Sequence, residues 1–278
     1  MLFHTLKEVD AHVVMGPTHA MSGAAVGLAV AQILPAEWGG VTTAEETFIY
    51  AGLAAGAALL PDLDSPSATV SRSFGPITQV ISRFTENTCQ MFVNITRGRK
   101  DKRCNNGHRT LTHTVWSALA MGAGATTLIG IYGKPAVLGL LFFFLGLAIR
   151  GLLPEWSKKA DWLLVTGASA ALAYAVWNYV PESSFGLVLG SAITVGCLTH
   201  MAGDMATKAG IPALAPVVPF RGERWWNLKL PNFLSIRANG PADKFLLFVF
   251  SVAVIIQIGL VSSGNMSTIM LNLINPGQ

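Results

Sequence analysis

Long apolar segments with almost no charged residues constrain this chain more than any other feature. Charged residues make up 12% of the sequence, about half of the roughly 25% that is usual in soluble domains. Five segments are near the roughly 17–25 residues that cross a bilayer core, and two are shorter. The five cover 114–132, 135–153, 161–180, 184–204 and 243–262, and the two cover 20–34 and 47–61. The sequence therefore predicts an all-α fold, a polytopic bundle of about five to seven transmembrane helices, as a single membrane domain over 1–278.

The basic residues predict which loops face the cytoplasm. With seven spans and a cytoplasmic N-terminus, Lys134 is the only one of the 19 Lys and Arg residues on the outside, as the positive-inside rule requires. The opening stretch carries Lys7, Glu8 and Asp10 among apolar residues and lacks the basic-then-apolar order of a signal peptide. We therefore expect a multi-pass protein without a cleaved signal peptide.

Seven His and Asp residues fall in four motifs at the ends of apolar segments. They are His19, Asp62, Asp64, His108, His113, His200 and Asp204. Under the predicted topology all four motifs lie at the cytoplasmic face, and they stay together in a five-span variant in which the two short segments form a re-entrant hairpin. Ionisable groups at membrane depth are costly, so their clustering indicates function rather than stability. The motifs therefore predict one metal site that faces the cytoplasm.

The last motif, THMAGD, carries its donors on one face of a helix. His200 and Asp204 are four residues apart, so they project one above the other. An imidazole nitrogen and a carboxylate oxygen can then reach one ion. A hydrogen bond between the two side chains, without a metal, is the alternative interpretation.

The GHRTLTHT motif carries two histidines that a regular helix would separate. His108 and His113 are five residues apart, about 140° around a helix of 3.6 residues per turn. Both can serve one site only if His108 lies in the loop before the helix. His113 is the better ligand, and His108 is a ligand, a general acid or a supporting group. Arg109 offers a fork of donors that matches a phosphate, or it simply marks the membrane border.

The PDLD motif places two carboxylates directly after a helix that Pro61 should stop. In an extended turn Asp62 and Asp64 point to opposite sides, so one can ligate an ion while the other orients a histidine or faces solvent. The DxD motif of haloacid-dehalogenase-like phosphatases is another interpretation, but that fold needs alternating strands and helices, which the sequence lacks. His19 joins the candidates because the topology brings it beside the other motifs. His4 and His12, without such a context, are expected to be ordinary interfacial residues.

The donor types indicate the metal. Imidazole and carboxylate without thiolate suit zinc best, with manganese or ferrous iron as alternatives. Seven candidates imply one ion with supporting residues, or two ions. Cys89, Cys104 and Cys197 lack CxxC spacing, so we expect reduced thiols rather than a thiolate zinc site. A metal-activated water makes ester or phosphoester hydrolysis the simplest chemistry.

Two further segments are predicted to lie at the membrane surface. Residues 74–96 repeat apolar residues at helical spacing, so they form a helix that either lies in the interface or packs on the protein's own core. Together with the basic run that follows, they form an interfacial unit over 74–106. Residues 207–241, with Trp225 and Trp226 among prolines and basic residues, predict a cytoplasmic interfacial loop. Membrane lipids are therefore expected partners, and this loop could clamp an anionic headgroup.

The motifs, in this order, resemble the YdjM-type family of bacterial inner-membrane metal-dependent hydrolases. The matching blocks are Thr18 with His19, LLPDLDSP (59–66), GHRTLTHT (107–114) and THMAGDMATKAGIPALAP (199–216), and they span most of the chain. The resemblance implies an inner-membrane location. It also implies a metal site that includes His19, Asp62, His108, His113, His200 and Asp204.

We therefore expect a membrane enzyme that hydrolyses a phosphoester or ester, in a lipid-like substrate. Asp62, His113, His200 and Asp204 hold the metal, while His19 and His108 complete or support its shell. Asp64, His108 and Arg109 are the expected catalytic residues, for proton transfer and for the charge of a phosphate. One alternative is a non-hydrolytic metal-binding or ion-transporting membrane protein, and another is a scaffold whose metal staples helices. Nucleic acid is not an expected partner, because the net charge of +4 comes from membrane-border residues.

Overall fold

The computed structural model describes residues 16–179 and 185–265, and within these ranges the chain is helical without a β-strand. The predicted all-α bundle is therefore confirmed. The helices are α1 Gly16–Val30, α2 Ala44–Ala57, α3 Pro76–Thr96, α4 Val115–Tyr132, α5 Lys134–Leu152, α6 Pro154–Lys159, α7 Trp162–Tyr179, α8 Phe185–Met205 and α9 Pro241–Ser262. Short 3₁₀ turns cover Ala36–Trp38, Pro61–Asp64, Thr69–Arg72 and Leu111–His113. The predictions about His4, His12 and the opening stretch lie outside the described residues.

Among the described helices, α4, α5, α8 and α9 are long and apolar enough to cross a membrane. They correspond to four of the five long segments in the sequence. The fifth is α7, whose 18 residues are less apolar because tryptophan, tyrosine and Asn178 interrupt them. The two short segments form α1 and α2, of 15 and 14 residues. Both start earlier than predicted; α2 does so because the Thr43 hydroxyl accepts a hydrogen bond from the Glu46 N–H and caps the helix.

The short helix α2 lies at the centre of the bundle. It contacts α1, α5 and α8, and its Tyr50, Leu53 and Ala54 are fully buried. Small residues bring these helices together, since a Cβ on Gly196 of α8 would collide with the Ala54 carbonyl, and one on Gly23 of α1 would lie 2.7 Å from the same oxygen. This is how helices pack in a membrane, where lipid is as apolar as the side chains.

The helix α3 turns its apolar stripe away from the protein. The exposed large side chains are Ile77, Val80, Ile81, Phe84, Met91 and Ile95. Its opposite face buries Thr78, Ser82 and Cys89 against the turns that carry the site residues. The stripe therefore does not pack on the protein's own core. The placement of α3 in the membrane interface stays a prediction.

The loop after α3 and the segment before α9 pack together above the site. Asp101 accepts hydrogen bonds from the backbone N–H groups of Arg224 and Trp225, at 3.1 and 3.2 Å. Lys100 Nζ donates to the Arg221 carbonyl at 2.8 Å. The two polar segments thus form one cap over the end of the bundle that carries the four motifs.

Candidate metal centre

The centre is built where two turns meet the end of α8. The turn Pro61–Asp64 follows α2, and the turn Leu111–His113 precedes α4. Because α2 and α4 both pack against α8, the two turns are held beside His200 and Asp204. The convergence that the sequence predicted, from stretches far apart in the chain, is therefore found.

Four donor atoms surround one point. One ligand atom each from Asp62, His113, His200 and Asp204 lies within 4.8 Å of the others. The Nε2 atoms of His113 and His200 are 3.1 Å apart, and Asp204 Oδ2 is 3.3 and 3.6 Å from them. Asp62 Oδ1 is 4.0 and 3.7 Å from the same nitrogens. Ligands bound at about 2 Å to a tetrahedral ion are separated by roughly 3.3–3.6 Å, so the spacing suits a single cation.

Hydrogen bonds to the far sides of both imidazoles leave their Nε2 atoms free for an ion. His200 Nδ1 lies 2.8 Å from the Ala58 carbonyl, to which only a protonated nitrogen can donate. His113 Nδ1 lies 3.0 Å from Thr112 Oγ1 and 3.4 Å from Asp64 Oδ2. These partners assign the proton of each neutral ring to Nδ1. With both rings neutral, as metal ligands must be, two lone pairs face each other at 3.1 Å. A cation between them stabilises this arrangement, and without a metal a proton between the two nitrogens takes its place.

The buried carboxylate of Asp204 also favours a cation at this point. The residue is fully buried, and its Oδ1 accepts from Arg109 Nη2 at 2.8 Å. Its Oδ2 has no hydrogen-bond partner among the described residues. A buried carboxylate oxygen without a partner is costly, whereas an ion beside the two imidazoles would satisfy it. The donor set could therefore hold a divalent metal ion.

Asp64 lies behind the four donors and organises the turns. Its Oδ1 is 2.7 Å from His108 Nδ1. Its Oδ2 accepts from Thr112 Oγ1 at 2.5 Å and from the Arg109 N–H at 3.1 Å. One fully buried carboxylate thus fixes both histidine-bearing positions of the GHRTLTH segment.

The two carboxylates of PDLD do point to different sides, but the predicted extended turn is wrong. Residues Pro61–Asp64 form a 3₁₀ turn, closed by hydrogen bonds such as that from the Leu63 N–H to the Leu60 carbonyl. Pro61 suits its first position, because proline lacks an N–H that the turn would leave unpaired. Asp62 therefore reaches the donor cluster while Asp64 stays behind it.

The charges around His113 shift two pKa values. Burial opposes ionisation of both Asp64 and His113, but their mutual attraction outweighs it. The pKa of Asp64 therefore lies well below its usual range. Asp64 and Asp204 together raise the pKa of His113 to about 10. The surroundings of this imidazole are thus strongly negative, and a bound cation would balance them.

His108 and Arg109 lie at the edge of the centre. The His108 side chain is 32% exposed and does not join the four donors; its Nδ1 is held by Asp64, which leaves Nε2 available. Arg109 has a left-handed backbone with φ of 55°. Its Nη1 donates to Thr207 Oγ1 at 3.0 Å, so it ties the GHRTLTH turn to the end of α8.

His19 packs against the centre from α1. It is buried, and its Nε2 lies 3.3 Å from Asp204 Oδ1 rather than at the four-donor point. Its ring centroid is 4.0 Å from that of His200. Gly203 makes room for this ring, since a Cβ there would lie 2.8 Å from His19 Cε1. His19 therefore supports Asp204 and His200 in this arrangement.

Two residues near the centre escape sequence reasoning. Thr112 links His113 to Asp64, but a threonine beside a histidine gives no signal of its own. Arg150 lies at the end of α5 and is buried. An ionisable residue near the end of a predicted span is the signal that could have identified it.

Two cavities meet beside the donors. One, of about 430 Å³, lies between Asp62 and the ends of α1, α5 and α9. The other, of about 520 Å³, lies under the polar cap and is lined by Lys100, Trp225 and Trp226. His108 and Arg109 line both cavities. Asp62, whose side chain is 20% exposed, opens into the first.

Fold and site together define a class: a polytopic helical membrane protein with a buried cluster of Asp and His residues that could bind a metal ion. The family model described as "YdjM inner membrane protein" matches residues 14–153 and 162–266. The chain therefore belongs to the YdjM inner membrane protein family, as the sequence motifs indicated. Comparisons with curated proteins and with solved structures gave no match.

Proposed function

We propose that the protein is a membrane-embedded, metal-dependent hydrolase that acts on a phosphoester or ester of a lipid-like substrate. The observation that carries this proposal is Asp204 Oδ2, a buried carboxylate oxygen without a hydrogen-bond partner among the described residues. It faces two imidazole nitrogens at 3.3 and 3.6 Å. A divalent ion held there supplies Lewis-acid polarisation of an ester or phosphoryl oxygen.

The chain's own residues divide into ligands and supports. Asp62, His113, His200 and Asp204 hold the ion. Asp64 fixes the His113 ring from behind, through Thr112, and so keeps its Nε2 directed at the ion. His19 and Arg109 hold the other oxygen of Asp204, which leaves Oδ2 as the oxygen available for the metal.

Proton transfer is assigned to the pair of Asp64 and His108. The carboxylate accepts from His108 Nδ1 at 2.7 Å, which sets the tautomer and leaves Nε2 as the basic nitrogen. His108 lines the cavity that reaches Asp62. It can therefore take a proton from an attacking water and return one to the leaving oxygen.

Arg109 is assigned to binding and stabilising the negative charge of the substrate. Its guanidinium lines the same cavity while it holds Asp204. Remaining N–H groups of its fork suit a phosphate oxygen, and such a donor stabilises charge that develops during hydrolysis. Arg109 thus holds the metal ligand Asp204 and also contacts the substrate.

The test is purified protein in detergent, with metal per chain measured by mass spectrometry and turnover measured on a panel of phospholipids and soluble phosphoesters. We expect one or two ions per chain and release of a phosphate or acyl product. His200→Ala should lose metal and turnover together, whereas Glu37→Gln, which removes an exposed carboxylate far from the site, should keep both.

Three outcomes would count against the proposal. Wild-type protein without bound metal would remove its basis. His200→Ala that loses turnover with full metal content would contradict the ligand role. Stoichiometric metal without turnover on any ester, together with ion flux in liposomes, would instead support the transport alternative.

A further inference from the structure

The cavity beside Asp62 contains a buried cation with an unusual set of partners. Arg150, near the end of α5, is 8% exposed and lines this cavity. Its Nη1 donates to the Ser157 carbonyl, and its Nη2 donates to the Arg72 carbonyl at 3.0 Å. Its Nε is buried without a hydrogen-bond partner among the described residues.

No carboxylate of the described residues lies within salt-bridge distance of Arg150. Neutral carbonyls hold its guanidinium in place but leave its charge uncompensated. A buried charge without a counter-charge is expensive, because water cannot solvate it. A ligand in the adjoining cavity is a ready source of negative charge.

The balance of charges in the cavity also favours an anionic ligand. The charged side chains that line it, besides Arg150, are Asp62, Arg109, Asp243 and Lys244. Asp243 accepts hydrogen bonds from Thr18 Oγ1 at 2.7 Å and from the Asn239 N–H at 3.0 Å, but these neutral donors leave its charge in place. Arg109 is paired with Asp204, and Asp62 would be neutralised by the ion it helps to hold. Arg150 and Lys244 against Asp243 then leave the cavity with one net positive charge.

We infer that this cavity binds the anionic phosphate group of the substrate, with Arg150 as the principal donor to it and Lys244 as a second cation; this rests on the function proposed above for the adjoining metal centre. Asp62 opens into the same space, so a phosphate bound there lies next to the ion. The volume of about 430 Å³ accommodates a lipid headgroup.

The position of the cavity favours a substrate with an apolar part. Arg150 belongs to α5 and Lys244 to α9, two of the helices that are long and apolar enough to span a membrane. Leu59, Val70 and Leu247 contribute apolar surface to the lining. A phosphate carried by a lipid and a soluble phosphate offer the same anion, and only the lipid gains from these apolar contacts.

The experiment measures binding rather than turnover. Metal-loaded protein in a non-ionic detergent is titrated by calorimetry with three probes: a dioctanoyl phosphonate analogue of phosphatidate, whose C–P bond resists hydrolysis, glycerol 3-phosphate and dioctanoylglycerol. We expect the phosphonate to bind at least about 10-fold more tightly than dioctanoylglycerol, since hydrogen bonds to charged groups contribute roughly 1.5–3 kcal/mol.

Variants then identify the cation responsible. Arg150→Gln should weaken phosphonate binding by roughly 10-fold or more, with metal content unchanged. Arg150→Lys should keep most of the affinity. Arg83→Gln, which removes an exposed charge of α3 outside the cavity, should have no effect. Because Arg150 also holds two carbonyls, the melting temperature of each variant is recorded, and the exposed Lys244→Gln provides a second test that does not disturb the fold.

Each outcome decides a point. Unchanged phosphonate affinity in both Arg150→Gln and Lys244→Gln, or equal affinity for phosphonate and dioctanoylglycerol, would overturn the inference even if the enzyme is active. Equal affinity for glycerol 3-phosphate and the phosphonate would support the anion site and assign it to a soluble phosphate. Binding that depends on Arg150, in a protein that hydrolyses nothing, would uphold the site and reject the proposed hydrolase.

Discussion

The two halves of the metal centre come from different kinds of local structure. His200 and Asp204 project from one face of α8, one helical turn apart. Asp62 and His113 come from 3₁₀ turns, and hydrogen bonds from other segments hold His113 in place. The helical half is positioned by backbone periodicity, whereas the turn half depends on the buried carboxylate of Asp64. The two halves should therefore fail in different ways.

The largest effect is expected in the helical half. Asp204→Asn replaces the oxygen that lacks a partner with a neutral amide, and the rigid helix cannot bring another anion to that point. Mutation of a residue that only orients a metal ligand costs at most roughly 100-fold in metal affinity. Loss of the ligand Asp204 should cost more than that. Metal content after dialysis against a chelator measures it, and full retention would exclude Asp204 as a ligand.

The turn half should weaken by degrees. Asp64→Asn keeps a hydrogen-bonding side chain but removes the charge that orients His108 and His113. We expect metal affinity to fall about 10- to 100-fold, with partial recovery at high metal concentration. Competition with a chromogenic chelator gives the affinity. If Asp64→Asn binds metal as tightly as the wild type, the turns are rigid without Asp64 and the contrast between the halves is lost.

Arg109 connects the turn half to the helical half, because it lies beside the turn that carries His113 and binds Asp204. A conservative change there tests whether it acts through Asp204 or on the substrate. Arg109→Lys keeps the charge but cannot contact Asp204 and Thr207 together, as the guanidinium does at 2.8 and 3.0 Å. We expect up to about a 10-fold loss of kcat/KM on a phosphoester substrate with little loss of metal. A loss of metal that matches the loss of rate would show that Arg109 acts only through Asp204.

The smallest effect is expected at Gly203. Alanine there would place Cβ 2.8 Å from His19 Cε1, so the ring must shift from Asp204. We expect destabilisation of about 1 kcal/mol and only a few-fold weaker metal binding. The matched control is Gly124→Ala in α4, where nothing lies within 4 Å of the added Cβ. Thermal melts of both variants separate crowding at His19 from a general effect of alanine, and equal melting temperatures would show that the ring moves freely.

The helical half of the site could be predicted from the sequence more fully than the turn half. Four-residue spacing is enough to place His200 and Asp204 on one face, because helical geometry is local. The conformation of PDLD was not predictable in the same way, since its 3₁₀ hydrogen bonds begin at Leu60, before the motif. The position of Asp64 behind the donors depends on contacts with residues 44 to 48 positions away in the chain.

The same limit applies to α3 and to Arg150. Periodicity predicted the apolar stripe of α3, but periodicity does not say whether a stripe faces protein or lipid, and the buried face turned out to carry Thr78 and Ser82. Arg150 is one more basic residue on the predicted cytoplasmic side when only the sequence is known. Its burial depends on the carbonyls of Arg72 and Ser157, which the fold brings to it.

The outward stripe of α3 has a practical consequence for handling the protein. A detergent belt that covers only the long helices of the bundle would leave side chains such as Phe84 and Ile95, which are 72% and 74% exposed, in contact with water. Copies of the chain would then associate through the exposed apolar surface of α3. Stable, monodisperse preparations should therefore require an amphiphile, such as a nanodisc lipid, that offers a flat headgroup layer beside the bundle as well as an apolar core around it.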